Sequence, residues 1–226
     1  MFGKLAQRIF LKSGVMVPNP EASEFEVNNW KLSGFVLDKL VPLFGVHPFP
    51  LNELMLLSGS VCRFEPTHIF EWGTHFGKSA RIFYETAKYF DIPTEIHSID
   101  LPEEVERVEH PHSSRGKFVQ GKKGVFLHLG DGLDTALKIY KTIPAQSTIL
   151  FFVDGDHSYQ SVQRELAGII ANVPKPKILV HDTFYQSPDS GYNIGPFKAV
   201  QEIVASGKFT VLETKTGLPG MTLLYQ

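Results

Sequence analysis

The chain is predicted to be an α/β protein: a mostly parallel sheet with helices on both faces, behind a helical N-terminal segment. Two observations carry this. From about residue 66, short apolar runs alternate with segments of helical periodicity, the signature of strand–helix–strand units. The last two runs, Phe209–Glu213 and Met221–Tyr225, have no helix between them and must pair as a hairpin, so one strand runs antiparallel.

The elements follow in order. Met1–Gly14 carries Phe2, Leu5 and Ile9 at helical spacing with Lys4, Arg8 and Lys12 between them, and reads as a docked first helix. VMVPNPEA breaks it. Phe25–Phe44 reads as one helix with Trp30, Phe35, Val36 and Leu40 on its apolar side, ended by Pro42 and the VHPFP stretch. Leu51–Val61 is a further short helix. Strands are expected at Thr67–Glu71, Glu95–Ile99, Val125–Leu129, Thr148–Val153 and Lys177–Val180, with helices at Lys78–Phe90, Leu133–Tyr140, Tyr159–Ala171 and Phe197–Ala205. A short helix is expected near Glu103–Val108 within a polar stretch. With the terminal hairpin, this makes seven strands. The division expected is a helical cap over 1–65 and the main domain over 66–226.

Composition narrows the function. A formal net charge of −2 offers no basic excess for nucleic acid. Cys62 is the single cysteine, so no intrachain disulfide can form, which fits a reducing, cytoplasmic setting; it reads as a buried structural thiol. No apolar run reaches the roughly 20 residues of a membrane span.

The chemistry gathers where the strands end. Five successive strands close on a carboxylate: Glu71, Asp100, Asp131, Asp154 and Asp182. Right-handed crossovers put all five on one edge of the sheet, where open α/β sheets bind ligands. The first turn, EWGTHFGKS, is a glycine-rich opening to a helix, spaced E-x-G-x-x-x-G and not G-x-G-x-x-G. Asp100 ends the next strand, where a carboxylate can accept both hydroxyls of a ribose. FFVDGDHSYQSV sets Asp154, Asp156 and His157 within four residues, and ILVHDT adds His181 and Asp182. Asp156 reads as a helix-capping residue. His47, His97, His110, His112 and His128 read as ungrouped. Two segments flanking this edge, 102–124 and 183–194, read as lids, with Tyr185 and Tyr192 available for stacking and Arg115 and Lys117 available to an anion.

In the order and spacing of EWGTHFGKS, HSID, LGDGLD, FFVDGDHSYQSV and ILVHDT, residues 66–226 resemble the Rossmann-like class I S-adenosylmethionine-dependent methyltransferases. The resemblance is to the small O-methyltransferase branch with D-G-x-H and H-D motifs, similar to cephalosporin hydroxylases and macrolide-sugar O-methyltransferases. It implies a cofactor site for S-adenosylmethionine from Glu71, Gly73, Thr74, Gly77, Ser79, Asp100, Gly130 and Asp131. It implies a divalent cation, Mg²⁺ or else Mn²⁺ or Fe²⁺, on Asp154, His181 and Asp182, with His157 as general base. The partner implied is a small-molecule hydroxyl; for the N-terminal helices two roles stay open, roofing the pocket or forming a homo-oligomer interface. Trp72, His75 and the PKPK before the fifth strand depart from the family pattern. The alternatives are a non-catalytic or hydroxylase-like relative that keeps the pocket, and a nicotinamide-dependent enzyme on a similar fold.

Overall fold

The computed structural model describes residues 16–226, apart from 18, 103–104, 106–113, 190 and 192. The expected helices at Met1–Gly14 and near Glu103–Val108, and His110, His112 and Tyr192, lie outside the described residues.

Seven strands form one sheet: β1 (His68–Trp72), β2 (Glu95–Asp100), β3 (Val125–Leu129), β4 (Ile149–Val153), β5 (Lys177–His181), β6 (Thr210–Thr214) and β7 (Met221–Tyr225). Their spatial order is β3-β2-β1-β4-β5-β7-β6. The first five are parallel, and β7 is antiparallel to both β5 and β6. The expected strands are therefore present, shifted by a residue at some ends.

Strand period decides which side chains face which helices. Ile69, Ile96, Leu150, Phe152, Leu179, Met221 and Leu223 point to one face. There they meet α3 (Leu51–Phe64), through Leu54, Leu57 and Val61, and α4 (Lys78–Tyr89), through Ala80, Phe83 and Ala87. Phe70, Trp72, Ile99, Phe151, Val153, Ile178 and Val180 point to the other. That face is covered by α5 (Gly132–Tyr140), α6 (Tyr159–Asn172) and α7 (Ile194–Ala205). β1, β4 and β5 are buried on both faces, so they read as near-continuous apolar runs and not as alternation.

The first described helix corrects two expectations. It starts at Asn29, capped by the Asn28 side chain, and runs as α1 (Asn29–Phe35), a π-helical turn (Val36–Leu40) and α2 (Val41–Phe44). Pro42 therefore does not end it. Proline has no N–H to donate; the preceding turn widens, with the Val41 N–H reaching back to the Val36 carbonyl, and the chain stays helical past it. Trp30 is 53% exposed and does not belong to the apolar side, which is made by Leu32, Phe35, Val36 and Leu40. Cys62 is fully buried, and burial pushes its thiol up to about 12, so it stays an un-ionised packing group.

Candidate active site

The glycine-rich turn links β1 to α4. Gly73 and Gly77 both have positive φ (93° and 78°), which favours glycine. A Cβ on Gly73 would overlap the Asp154 carbonyl oxygen, so the turn lies directly against the end of β4. Gly77 is the N-cap of α4 and provides no side chain to cap it. Beneath the turn, the Thr74 and Ser98 hydroxyls are 2.8 Å apart, and Ser98 Oγ donates to Glu71 Oε1 at 2.6 Å. Glu71 and Thr74 are both buried, so they brace the turn from below. Burial pushes Glu71 up to about 7, against the opposing pull of the Ser98 and Ser79 hydroxyls. Trp72 takes the opposite face, packed against Gly132 and Gly155.

The next two strand ends are already engaged. Asp100 Oδ1 accepts from the Leu101 amide, and Asp100 Oδ2 accepts from Arg115 Nε at 3.1 Å. Gly130 donates its amide to the Asp100 carbonyl. Asp131 caps α5 through the Asp134 amide and takes a two-pronged contact from Arg164, at 2.9 and 3.2 Å. Arg115, expected to be available to an anion, is engaged by Asp100, and the role of Arg164 was not visible in the sequence. Tyr185 does not stand open for stacking on a ligand alone: its ring lies on Phe197, with centroids 4.6 Å apart.

The ends of β4 and β5 form one charged cluster. His157 Nε2 is 3.0 Å from Asp182 Oδ2. His181 Nδ1 is 2.9 Å from Asp154 Oδ1 and 3.2 Å from Asp182 Oδ2, while its Nε2 is 3.0 Å from Glu53 Oε2. Glu53 is completely buried in the first turn of α3, and its other oxygen accepts the Gly220 amide at 2.8 Å. Sequence reasoning missed Glu53. It is a lone acid in an amphipathic helix, and its partner is 128 residues away.

Partners set the charges here. Burial alone would lower His181, but Asp154, with Asp182 and Glu53, more than reverses this and holds it well above the ordinary histidine range. Burial likewise opposes His157, and Asp182 and Asp154 outweigh it, so its pKa is raised. Burial would raise Asp182; hydrogen bonds from His157 and His181 prevail and hold it at about 2. Asp182 also has a left-handed backbone, φ 57°, unusual for a residue with a side chain.

For a cation, the donor atoms of Asp154, His157 and Asp182 lie within 4.8 Å of one another. His181, expected as the third ligand, is not in that set; its Nδ1 faces Asp154 and Asp182 and its Nε2 faces Glu53. Asp156 accepts from the Ser158 amide and hydroxyl, at 3.1 and 2.7 Å. Ser158 is the actual N-cap of α6, so Asp156 supports the cap and is not the cap itself. One further expectation is overturned: His97 and His128 are not ungrouped, for His97 Nδ1 and His128 Nε2 are 3.1 Å apart.

The fold and this edge define an α/β enzyme with a glycine-rich turn after β1 beside an acid–histidine cluster on β4 and β5. A methyltransferase-domain family model matches residues 70–183, half of the chain, and the chain belongs to that family. Similar solved structures include an O-methyltransferase from Bacillus cereus in complex with SAH (13% identity, 99% of this chain and 97% of that one, TM-score 0.59). Another is the O-methyltransferase TomG from Streptomyces achromogenes in complex with SAM (15%, 96% and 94%, 0.56). A third is the SAH-bound Podospora anserina methyltransferase PaMTH1 (14%, 100% and 95%, 0.55). At these identities the likeness is one of fold. A search of curated proteins finds no match. Among the described residues, no helix is long and apolar enough to cross a membrane.

Proposed function

We propose that the chain transfers a methyl group from S-adenosylmethionine to a hydroxyl oxygen of a small molecule. The observation that carries this is the contact of Gly73 with the Asp154 backbone, which makes the cofactor turn and the acid–histidine cluster contiguous. The residues fit the cofactor. The N-terminus of α4, whose N-cap Gly77 has no side chain, offers backbone amides to a carboxylate beside the Ala80 amide that Glu71 engages, and Asp100 ends β2 at the place of a ribose ligand. Gly73, Gly77, Asp100 and Gly130 would line the cofactor; Glu71, Thr74 and Ser79, whose hydroxyl bonds Glu71, hold the turn; Asp131 would act together with Arg164. Bound there, S-adenosylmethionine supplies an electrophilic methyl on a sulfonium.

The chain must then remove the acceptor's proton and hold its oxygen in line. In one version Asp154, His157 and Asp182 hold a divalent cation, whose charge would lower the pKa of the hydroxyl. Two carboxylates and an imidazole suit Mn²⁺ or Fe²⁺ better than Mg²⁺, which prefers oxygen. The 3.0 Å His157–Asp182 pair supports a metal-free version. There His157 takes the proton, and Asp182 orients the imidazole and stabilises its charge.

Isothermal calorimetry should show S-adenosylhomocysteine binding to the wild type, weakened at least tenfold in Asp100→Ala. No heat from folded protein would sink the proposal. Turnover with EDTA, Mg²⁺ and Mn²⁺ separates the two versions: unchanged turnover in EDTA leaves only the metal-free one.

A further inference from the structure

We propose a second metal site, for Zn²⁺ or a similar borderline ion, built by His68, Glu95 and His97 at the opposite end of β1 and β2 from the cofactor turn. The register pairs His68 with Glu95 across the two strands, and His97 lies two residues beyond Glu95, so all three project from one face. Glu95 Oε2 is 3.6 Å from His68 Nε2 and 3.8 Å from His97 Nε2, and the three donor atoms lie within 4.8 Å of one another. A tetrahedral ion with bonds of roughly 2.0–2.1 Å sets its ligand atoms roughly 3.4 Å apart, close to the two carboxylate–imidazole spacings, while the His68 ring, 7° from parallel with that of His97, must tilt toward the shared ion. Water would complete the shell from the solvent side, where Glu95 is half exposed.

The second observation is an orphan. His97 is 6% exposed, and its buried Nε2 has no hydrogen-bond partner. Unpaired buried polar atoms are rare and call for an explanation. This one faces the other two donors. The outer nitrogens are held as they are around metal-bound histidines. Thr67 Oγ1 donates to the Thr148 carbonyl, so at 3.0 Å it can only accept from His68 Nδ1–H, leaving the lone pair on Nε2. His97 Nδ1 is partnered by His128. The Phe70 and Phe126 rings stack on either side of the His97 imidazole, with centroids 4.9 and 5.3 Å away, and restrict its rotation. Burial lowers both His68 and His97 from the ordinary histidine value and so favours the neutral form that ligates.

The test is Zn²⁺ titration of the metal-stripped full-length chain, with Asp154→Asn included to remove a ligand from the other cluster. The expected result is one Zn²⁺ bound by Asp154→Asn, with affinity lowered at least tenfold when Glu95→Gln or His68→Ala is added to it. Both substituted residues are at or near the surface, and far-UV circular dichroism reports their folding. Co²⁺ gives an independent readout on the unmodified chain: intense visible bands of a low-coordinate ion, lost in Glu95→Gln. Unchanged Zn²⁺ affinity in both variants, or only octahedral Co²⁺ spectra in the wild type, would overturn the site. Methyl transfer plays no part in these readouts, so the inference stands or falls apart from the proposed function.

Discussion

The two ends of the sheet carry the same ingredients, histidines and carboxylates, and bring them to opposite states. At the ends of β4 and β5, His157 and His181 touch buried carboxylates at about 3 Å, and both have raised pKa values. At the starts of β1 and β2, the carboxylate is half exposed and 3.6–3.8 Å away, so burial prevails and His68 and His97 are lowered. A histidine's charge is thus decided less by having an acid nearby than by whether that acid is desolvated with it. One end holds histidines drawn toward their charged form by acids. The other holds lone pairs.

The largest expected effect falls on the charged end. His157→Ala should lower kcat/KM by about 10²–10⁴-fold, the usual worth of a positioned acid–base group, measured with a hydroxyl substrate that the wild type methylates. Activity within threefold of wild type would remove His157 from the chemistry. Next, Glu53→Gln leaves protonated His181 short of a buried partner. Removing one member of a buried pair costs about 3–5 kcal/mol, so the urea midpoint should fall while the m-value stays the same.

Glu71 tests the same rule with an acid. Its folded pKa of about 7 lies above the ordinary value of 4.5, so the folded state keeps a proton that the unfolded chain releases. Stability therefore falls as pH rises from about 4.5 to about 7, by roughly 3 kcal/mol in total, and Glu71→Gln should flatten that part of the profile. Asp182 behaves oppositely. Its folded pKa of about 2 is below normal, so its contribution is present above about pH 4 and lost as pH falls toward 2. The smallest effect is Asp131→Ala, about 1–2 kcal/mol, from a lost helix cap and an exposed arginine pair.

The sheet was legible because its signals are local. Apolar runs, glycine turns and terminal carboxylates mark each strand within a few residues, and parallel topology brings those ends together without further information. What stayed hidden depends on register and distant packing. The pairing of His68 with Glu95 exists only once β1 and β2 are aligned, and His97 meets His128 only across β2 and β3. Glu53 comes from a helix expected to cap the domain, yet its carboxylate reaches His181. Arg115 and Arg164 hold Asp100 and Asp131 from loop and helix positions with no motif of their own. Trp72 departs from the family pattern in sequence, but strand alternation turns it to the far face.

The absence of a side chain at Gly73 has a further consequence. The backbone there and the carbonyl of Asp154 are close enough that one methyl group would force them apart. The glycine-rich turn and the acid–histidine cluster are therefore spaced by a hydrogen atom. A misplacement of reacting atoms by 1 Å can cost about 10²-fold in rate. If the proposed reaction runs here, Gly73 would work as a gauge block between its two halves, and Gly73→Ala would act on alignment.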